Sequence, residues 1–383
     1  MSIIIATIIG LIILVFLVFI HEAGHFITAK LSGIKVLEFG FGFPPRAWGK
    51  KIGETTYSIN WLPLGGFVRL LGEEEDSSDP KSFTKKPPWT RAVVVAAGVF
   101  INILFAVFLF YFIVGANSFQ ALFEQNFAKT NYVFGEQENF TVIAKVVEGS
   151  PADFAGIKSG DKVLSVNGNK VETVVEFQTI VKENLGKAIP IEVQNFDEDL
   201  IRSTQVIPRL NPPEGEGALG VGLGGDFALV SYEKPIHKIF AGFGHAANRL
   251  QEQMVALKSI FGKSIKESDV EPLRENVGGV IRIVDQIAVV VEFGGLKAFG
   301  VLLELAALIS LILGVLNLLP IPALDGGRLY FILIEGISGY KLKPSTERAV
   351  HGVAFLILIF LVILIAINDI AFVLERRAGI KLF

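Results

Sequence analysis

Residues 3–20 contain only Ile, Ala, Thr, Gly, Leu, Val and Phe, and this uncharged run leads directly into His21-Glu22-Ala23-Gly24-His25. About eighteen apolar residues in helical form cross about 30 Å of hydrocarbon, so the run constrains the chain to a membrane-spanning helix. The ionisable residues continue the same helical stretch. Charge-bearing groups at bilayer depth are costly and by default mark a functional site. Two residues four apart on a helix project from one face. His21 and His25 therefore suit two nitrogen ligands of one Zn²⁺, at about 2.0–2.1 Å each. Glu22, beside them, is placed to take a proton from a metal-activated water. A purely structural account, with two interfacial histidines and Glu22 paired with Lys30, leaves the ligand spacing unexplained. No basic segment or small-x-small cleavage site precedes the motif, so the helix is expected to be retained.

Composition extends this picture. The chain has 383 residues, of which 51% are hydrophobic and only 19% charged. That balance indicates a polytopic membrane protein carrying some soluble mass. A net charge of −3 gives no footprint for nucleic acid. The absence of Cys excludes disulfides, thiolate catalysis and Cys-ligated zinc, so a metal must use His, Asp or Glu.

The fold class expected is a polytopic α-helical membrane protein with four transmembrane helices, a small membrane-associated β-hairpin region and an inserted α/β domain. Residues 1–32 carry the first span and the zinc motif. Residues 33–90 form a β-rich loop, in which Tyr57–Leu70 reads as a hairpin, either capping the protein or offering an edge to an extended substrate. Residues 73–89 read as a loop. The second span covers 91–116 and contains Gly98 and Asn102. Gly98 suits close helix packing, whereas a buried Asn102 needs a partner and can orient a peptide or ligand.

Residues 117–234 hold the inserted domain and its flanks, with 117–138 expected to be irregular. Strand patterns recur at Val142–Val147, Val163–Val166 and Ile189–Val193, and helical spacing at Glu176–Asn184. Residues 235–295 form an amphipathic segment expected to lie on the membrane surface, with His237 and His245 interfacial rather than metal ligands. The third span occupies 296–327 and is broken by Pro320 and Pro322 before Asp325-Gly326-Gly327. Such a break at membrane depth is tolerated where backbone is buried or lines a cavity. Asp325 is then an oxygen ligand, an N-cap for the helix that follows, or both. Residues 328–383 hold a loop, a fourth span ending near Asn368-Asp369, and a short basic tail. His351, at the entrance of that span, reads as a bystander.

Two motifs now stand together: His21-Glu22-Ala23-Gly24-His25 in the first span, and Asn317-Leu318-Leu319-Pro320 through Leu324-Asp325-Gly326 in the third. The set resembles the site-2 protease family of intramembrane zinc metalloproteases, most nearly its bacterial RseP-like branch, and the resemblance runs nearly end to end. The insert is similar to that branch's PDZ domain, with Gly-Ser-Pro-Ala at 149–152 and Gly-Asp-Lys-Val-Leu-Ser-Val-Asn-Gly at 160–168. The Gly-rich segment 217–225 is either its carboxylate loop or a vestige of a second copy.

The resemblance implies that His21, His25 and Asp325 hold Zn²⁺ and that Glu22 is the general base. It implies that Asn317 and Pro320 line the substrate cleft and that Gly98 and Asn102 form the second-span Gly-x-x-x-Asn, with Val99 where many relatives have Pro. It also implies a single-span substrate, such as an anti-sigma factor already shortened by an earlier cut, or a remnant signal peptide.

The loop 32–90 is rich in Lys and Arg, which places it in the cytoplasm of a bacterial inner membrane, with the active site towards that side. The PDZ-like domain then faces outward, where it is expected to exclude bulky substrates, the alternative being recruitment of a freshly made C-terminus. Two alternatives remain at this stage. A metal transporter would have no need of Glu22, and an inactive scaffold presenting the PDZ-like domain would tolerate its loss.

Overall fold

The first helix, α1 (Ser2–Leu31), runs unbroken through the apolar stretch and the histidine motif in the computed structural model. The structure describes residues 2–73, 77–195, 200–295 and 298–379; residues 74–76 of the expected 73–89 loop and 380–383 of the tail lie outside the described residues. α1 satisfies its own backbone groups, as an apolar solvent demands. It ends where Gly33 turns left-handed at φ +65. There Ile34 N donates to Ala29 O at 2.9 Å and Gly33 N to Lys30 O at 3.1 Å, the paired bonds of a Schellman cap.

Strands β1 (Val36–Ile52) and β2 (Thr55–Leu70) follow. The expected hairpin within 57–70 is not what forms. The tight turn is at Gly53-Glu54, with Ile52 facing Thr55. Both strands then double over. Glu38–Phe41 pair with Gly66–Arg69 on one side and with Thr56–Ile59 on the other. On the second side the numbers rise in step, 38 with 56 and 41 with 59, so those segments run parallel. Thr56–Ile59 also faces the 46–52 half of β1. Four short segments therefore form one sheet, and among the described residues the 66–70 stretch is one of its edges.

Phe39 anchors this sheet to α1, stacking on Phe26 at 4.8 Å and meeting Phe19 at 5.4 Å. Ala29, Val36, Leu70, Phe83, Val94, Val95 and Ile332 form the core around it.

Helix α2 (Pro88–Ala116) starts on a proline, whose missing N–H costs nothing at a helix start. It lies close against α1. A Cβ built at Gly24 would sit 2.7 Å from Ala97 O, and one at Gly98 would sit 2.4 Å from His25 Nε2.

Two compact units emerge: Met1–Ile113 with Phe261–Phe383, and Val114–Ile260. The second unit starts earlier and ends later than the 117–234 insert read from sequence. It is built on β3 (Gln120–Glu124), β4 (Glu136–Val146), β5 (Asp161–Val166), β6 (Asn169–Lys170), β7 (Ile189–Asn195), β8 (Ile201–Val206) and β9 (Val221–Ser231). The order is β3-β9-β4-β5-β7-β8, with β6 on β5. The stretch 117–138, expected to be irregular, thus supplies β3 and the start of β4. The 217–225 segment leads into β9 of this same sheet.

Two helices complete the core. Ser150 caps α3 (Pro151–Phe154) by accepting from Asp153 N, and Thr173 caps α4 (Val174–Glu183) by accepting from Glu176 N. Ile143, Val163, Phe177, Ile191 and Leu219 are buried between helices and sheet.

Helices α5 (Pro235–Ile239) and α6 (Ala241–Glu267) bear out the helical spacing, and Phe243, Met254 and Leu257 are exposed. His245 corrects the expectation of an interfacial residue. It is 1% exposed, with Nδ1 3.4 Å from the Tyr232 hydroxyl and its ring 5.2 Å from that of Phe123. Burial pushes the imidazole down to about 3, so it is neutral at ordinary pH.

In the first unit follow α7 (Glu271–Asn276), α8 (Val280–Phe293), α9 (Ala298–Leu318), α10 (Asp325–Ser338) and α11 (Pro344–Ala378). Ile287 and Ala288 of α8 pack on Ala6 of α1. The fourth span does not stop at Asn368-Asp369. Asp369 is fully buried, accepts from Gly279 N at 2.9 Å and pairs with Arg282 at 3.1 Å. Arg376 and Arg377, expected in a free tail, pair with Asp285 of α8.

Among the described residues four helices are long and apolar enough to cross a membrane: Ile3–Leu31, Pro88–Ala116, Ala298–Leu318 and Ser345–Ala378.

The α1–α2 contact is backbone against backbone at Gly24, so Gly24→Ala must force the helices apart. We expect a loss of about 1–3 kcal/mol, the usual cost of overpacking, read as a lower thermal midpoint in detergent. Gly10→Ala is the control, because its Cβ would meet only the side-chain tips of Ile287 and Val284 at 3.2 and 3.4 Å. An equal effect of both would show that the close contact does not hold the helices.

Candidate metal centre

Three elements converge on the histidine motif. His21 and His25 project from α1 towards α2, where Gly98 leaves room for both rings. Asp325, the first residue of α10, reaches them from the chain break after α9. Its Oδ2 lies 2.8 Å from His21 Nε2 and 3.2 Å from His25 Nε2, and the two Nε2 atoms are 3.2 Å apart. Tetrahedral ligands at about 2.05 Å from Zn²⁺ stand about 3.3 Å from one another. The trio therefore fits one ion with three protein ligands. Among the described residues it is the group that can do so.

The His25 tautomer agrees with this reading. His25 Nδ1 donates to Val94 O at 2.9 Å, which leaves its Nε2 lone pair aimed at the centre. His21 is 7% exposed and keeps Nε2 turned to the same point. The sequence left Asp325 as ligand or helix cap. The cap position belongs to Leu324, which makes no side-chain cap bond, and the Asp325 carboxylate faces the histidines instead.

Glu22 stands off the trio, on the side of α1 that faces the sheet. A Cβ at Gly66 would sit 3.5 Å from its Cγ, so the 66–70 edge runs beside the carboxylate. Asn102 lies one turn beyond Gly98 on α2. It is 1% exposed, and neither side-chain atom has a hydrogen-bond partner among the described residues. An amide buried in this way costs free energy unless something else bonds to it. Its backbone carbonyl accepts from Ser310 Oγ at 2.8 Å, tying α9 to α2. Asn317 closes α9 half-buried and Pro320 is exposed in the break. Among the described residues, neither makes a hydrogen bond to the trio. His351, read as a bystander, accepts a hydrogen bond from Ala323 N at 2.9 Å, in the loop that carries Asp325.

Sequence reasoning missed the Val94 carbonyl, since any residue type supplies one. It also missed Gly314, where a Cβ would sit 3.2 Å from Val99 O and 2.7 Å from Ile103 Cγ1, so that α9 meets α2 closely. The small residue was visible in the third span, but its partner was not.

A second concave feature lies within the Val114–Ile260 unit. A groove of about 340 Å³ runs between α4 and the start of β9, lined by Phe177, Val181, Leu185, Leu219, Val221 and Leu223, with Lys182 and Arg209 at its margins. β3 pairs with β9 only from Phe227 onward. Among the described residues, the 221–225 edge facing away from β4 has no strand partner.

Residues 9–361 match the sequence pattern of peptidase family M50. Relatives whose names assign them to the zinc metalloproteases align over nearly the whole chain. One from Clostridium perfringens is 34% identical over 356 residues, covering 93% of this chain and 96% of its own length. One from Nostoc is 32% identical, covering 93% of each. One from Helicobacter pylori is 30% identical, covering 95% and 98%. With a three-ligand cluster set among helices apolar enough to cross a membrane, and with matches of this extent, the chain belongs to peptidase family M50, the site-2 proteases, and is a zinc metalloprotease.

Proposed function

We propose that this protein hydrolyses a peptide bond inside the transmembrane segment of a single-span substrate, as a step of regulated intramembrane proteolysis. The observation that carries the proposal is the convergence of His21, His25 and Asp325 on one point within the apolar helices. A Zn²⁺ held by His21, His25 and Asp325 would supply Lewis-acid activation for a water and for the scissile carbonyl. Glu22 accepts the water proton at its carboxylate and delivers it to the departing amine. Asn102 brings a buried amide donor that substrate can engage, and such donors aimed at developing charge are strong contributors to rate. Asn317 and Pro320 border the cleft on the α9 side.

The substrate class is an anti-sigma factor, already shortened, or a remnant signal peptide. The setting is a bacterial inner membrane, with the 32–90 loop and the zinc site towards the cytoplasm and the Val114–Ile260 unit outward. The exposed apolar side chains of α6, interleaved with Lys258 and Lys263, suit a helix resting on the bilayer surface. A transporter reading gives Glu22 no task, and a scaffold reading gives the intact ligand set none.

The Val114–Ile260 unit is a PDZ-like domain on this reading. The sequence favoured exclusion of bulky substrates as its role. The groove between α4 and the open β9 edge supports recruitment instead. An apolar trough beside a free strand edge is what strand addition of an extended chain end requires.

Glu22→Gln is expected to retain zinc and to lose cleavage of a single-span reporter by at least about 10²–10⁴-fold, the usual worth of a general base. Metal analysis of the purified variant checks the first half, and zinc loss would make Glu22 a ligand rather than a base. Asp325→Ala is expected to lower zinc content and abolish turnover together. Full occupancy with normal turnover would leave Asp325 a structural residue only. For the groove, Leu223→Glu is expected to slow cleavage of the pre-shortened reporter about tenfold and leave full-length reporter uncut. If full-length reporter becomes cleavable instead, the domain excludes rather than recruits.

A further inference from the structure

The ligand Asp325 hangs on a loop with little freedom. Between α9 and α10 the backbone folds on itself. A Cβ at Gly326 would sit 2.1 Å from Leu319 O, and one at Gly327 would sit 2.5 Å from Ile321 O. Of residues 319–324, Pro320 and Pro322 have no N–H. The N–H groups of Leu319, Ile321 and Leu324 bond locally, to Leu316 O at the end of α9, Leu319 O and Ile321 O. Ala323 alone is served from another helix, by His351 Nδ1 at 2.9 Å.

Ala323 also carries φ +81, a left-handed conformation that L-residues other than Gly avoid. Such a conformation persists only where the surroundings fix it. The Pro322 ring limits the residue before it, and the close approach of Gly326 and Gly327 to Leu319 O and Ile321 O lies beyond Asp325. What remains to hold the Ala323 peptide is the imidazole. Accepting at Nδ1 requires the Nε2–H tautomer. The His351 ring is also packed edge-on against Phe331 of α10, at 5.8 Å and 71°.

We infer that His351 is a positioning residue for the zinc site: it fixes the left-handed Ala323 peptide and so sets where the Asp325 carboxylate stands, two residues on. It touches neither the ligands nor the metal, and α11 thereby takes part in metal binding although it supplies no ligand. The inference rests on Asp325 being the third ligand.

The test is a chelator-competition titration of zinc affinity on the purified full-length protein in detergent, with the thermal midpoint measured alongside. His351→Leu keeps bulk but removes the acceptor, and is expected to weaken zinc about tenfold or more. His351→Asn offers an amide oxygen near the place of Nδ1 and is expected to stay within about threefold of the parent. Phe331→Leu removes the ring packing and keeps the hydrogen bond, so the thermal midpoint should fall while zinc affinity holds. Unchanged affinity in His351→Leu overturns the inference. So does a loss in His351→Asn or Phe331→Leu as large as that in His351→Leu, because helix packing would then be the cause. Asp325→Ala in the same titration separates the two levels. If it binds zinc like the parent, the ligand reading fails; if it loses zinc while His351→Leu does not, only the role of His351 fails.

Discussion

The close approach of α1 and α2 at Gly24 and Gly98 is the contact on which the zinc site depends. Lipid tails are as apolar as Leu, so helices in a bilayer gain little by hiding apolar surface from one another, and small residues that let backbones meet become the means of association. Here the same absence of a Cβ has a second effect. At Gly98 the freed volume is filled by the imidazoles of His21 and His25 rather than by lipid or another side chain. Distance between helices and position of ligands are therefore one quantity. Gly314 brings α9 to α2 in the same manner, and the chain break after α9 carries Asp325 to the histidines.

Around this contact, charged groups act as registers between elements. Glu38 is buried in the sheet between Arg46 and Arg69, at 2.6 and 3.1 Å. Arg91 of α2 meets Glu335 of α10 at 2.6 Å. Asp369 of α11 holds the start of α8 through Gly279 and Arg282. A buried pair adds little net stability, because desolvating two charges offsets most of their attraction. Its effect is on alternatives: sliding either element would leave a charge unpaired where water cannot reach it, which is far costlier. The apolar surfaces of the helices permit many packings, and these pairs select among them.

The zinc motif was legible in sequence because its information is local: a four-residue spacing on one helix is fixed by helix geometry whatever the rest does. The four spans were legible for the same reason. What required the structure was non-local. Asp325 reads equally as cap or ligand until its carboxylate is seen 2.8 Å from a histidine 304 positions away. The region 36–70 carries strand propensity and turn residues throughout, and its propensities do not say which of several glycines makes the tight turn. Pairing decided it in favour of Gly53, and the same strand residues serve two partners. His245 lies in an apolar-periodic helix that looks interfacial, yet its side is the one that packs on Tyr232 and Phe123. Helical periodicity shows that a face is distinct but not what covers it.

The placement of the sheet bears on how the cleavage proposed above could reach a membrane helix. A helical substrate binds each of its carbonyls within itself, and in hydrocarbon no water replaces a broken bond. An unwound segment at membrane depth is tolerated only where something else meets its N–H and C=O groups. On the function proposed above, the 66–70 edge would be such a partner, and a Cβ at Gly66 would sit 3.5 Å from Glu22 Cγ. On the function proposed above, helix-to-strand conversion of a substrate beside this edge would exchange internal hydrogen bonds for intermolecular ones and deliver an extended peptide beside Glu22. On the far side of α1, where α2 closes on Gly24, no strand could enter. The two faces of one helix thus differ: the Gly24 face meets the backbone of α2, and the Glu22 face is lined by the sheet.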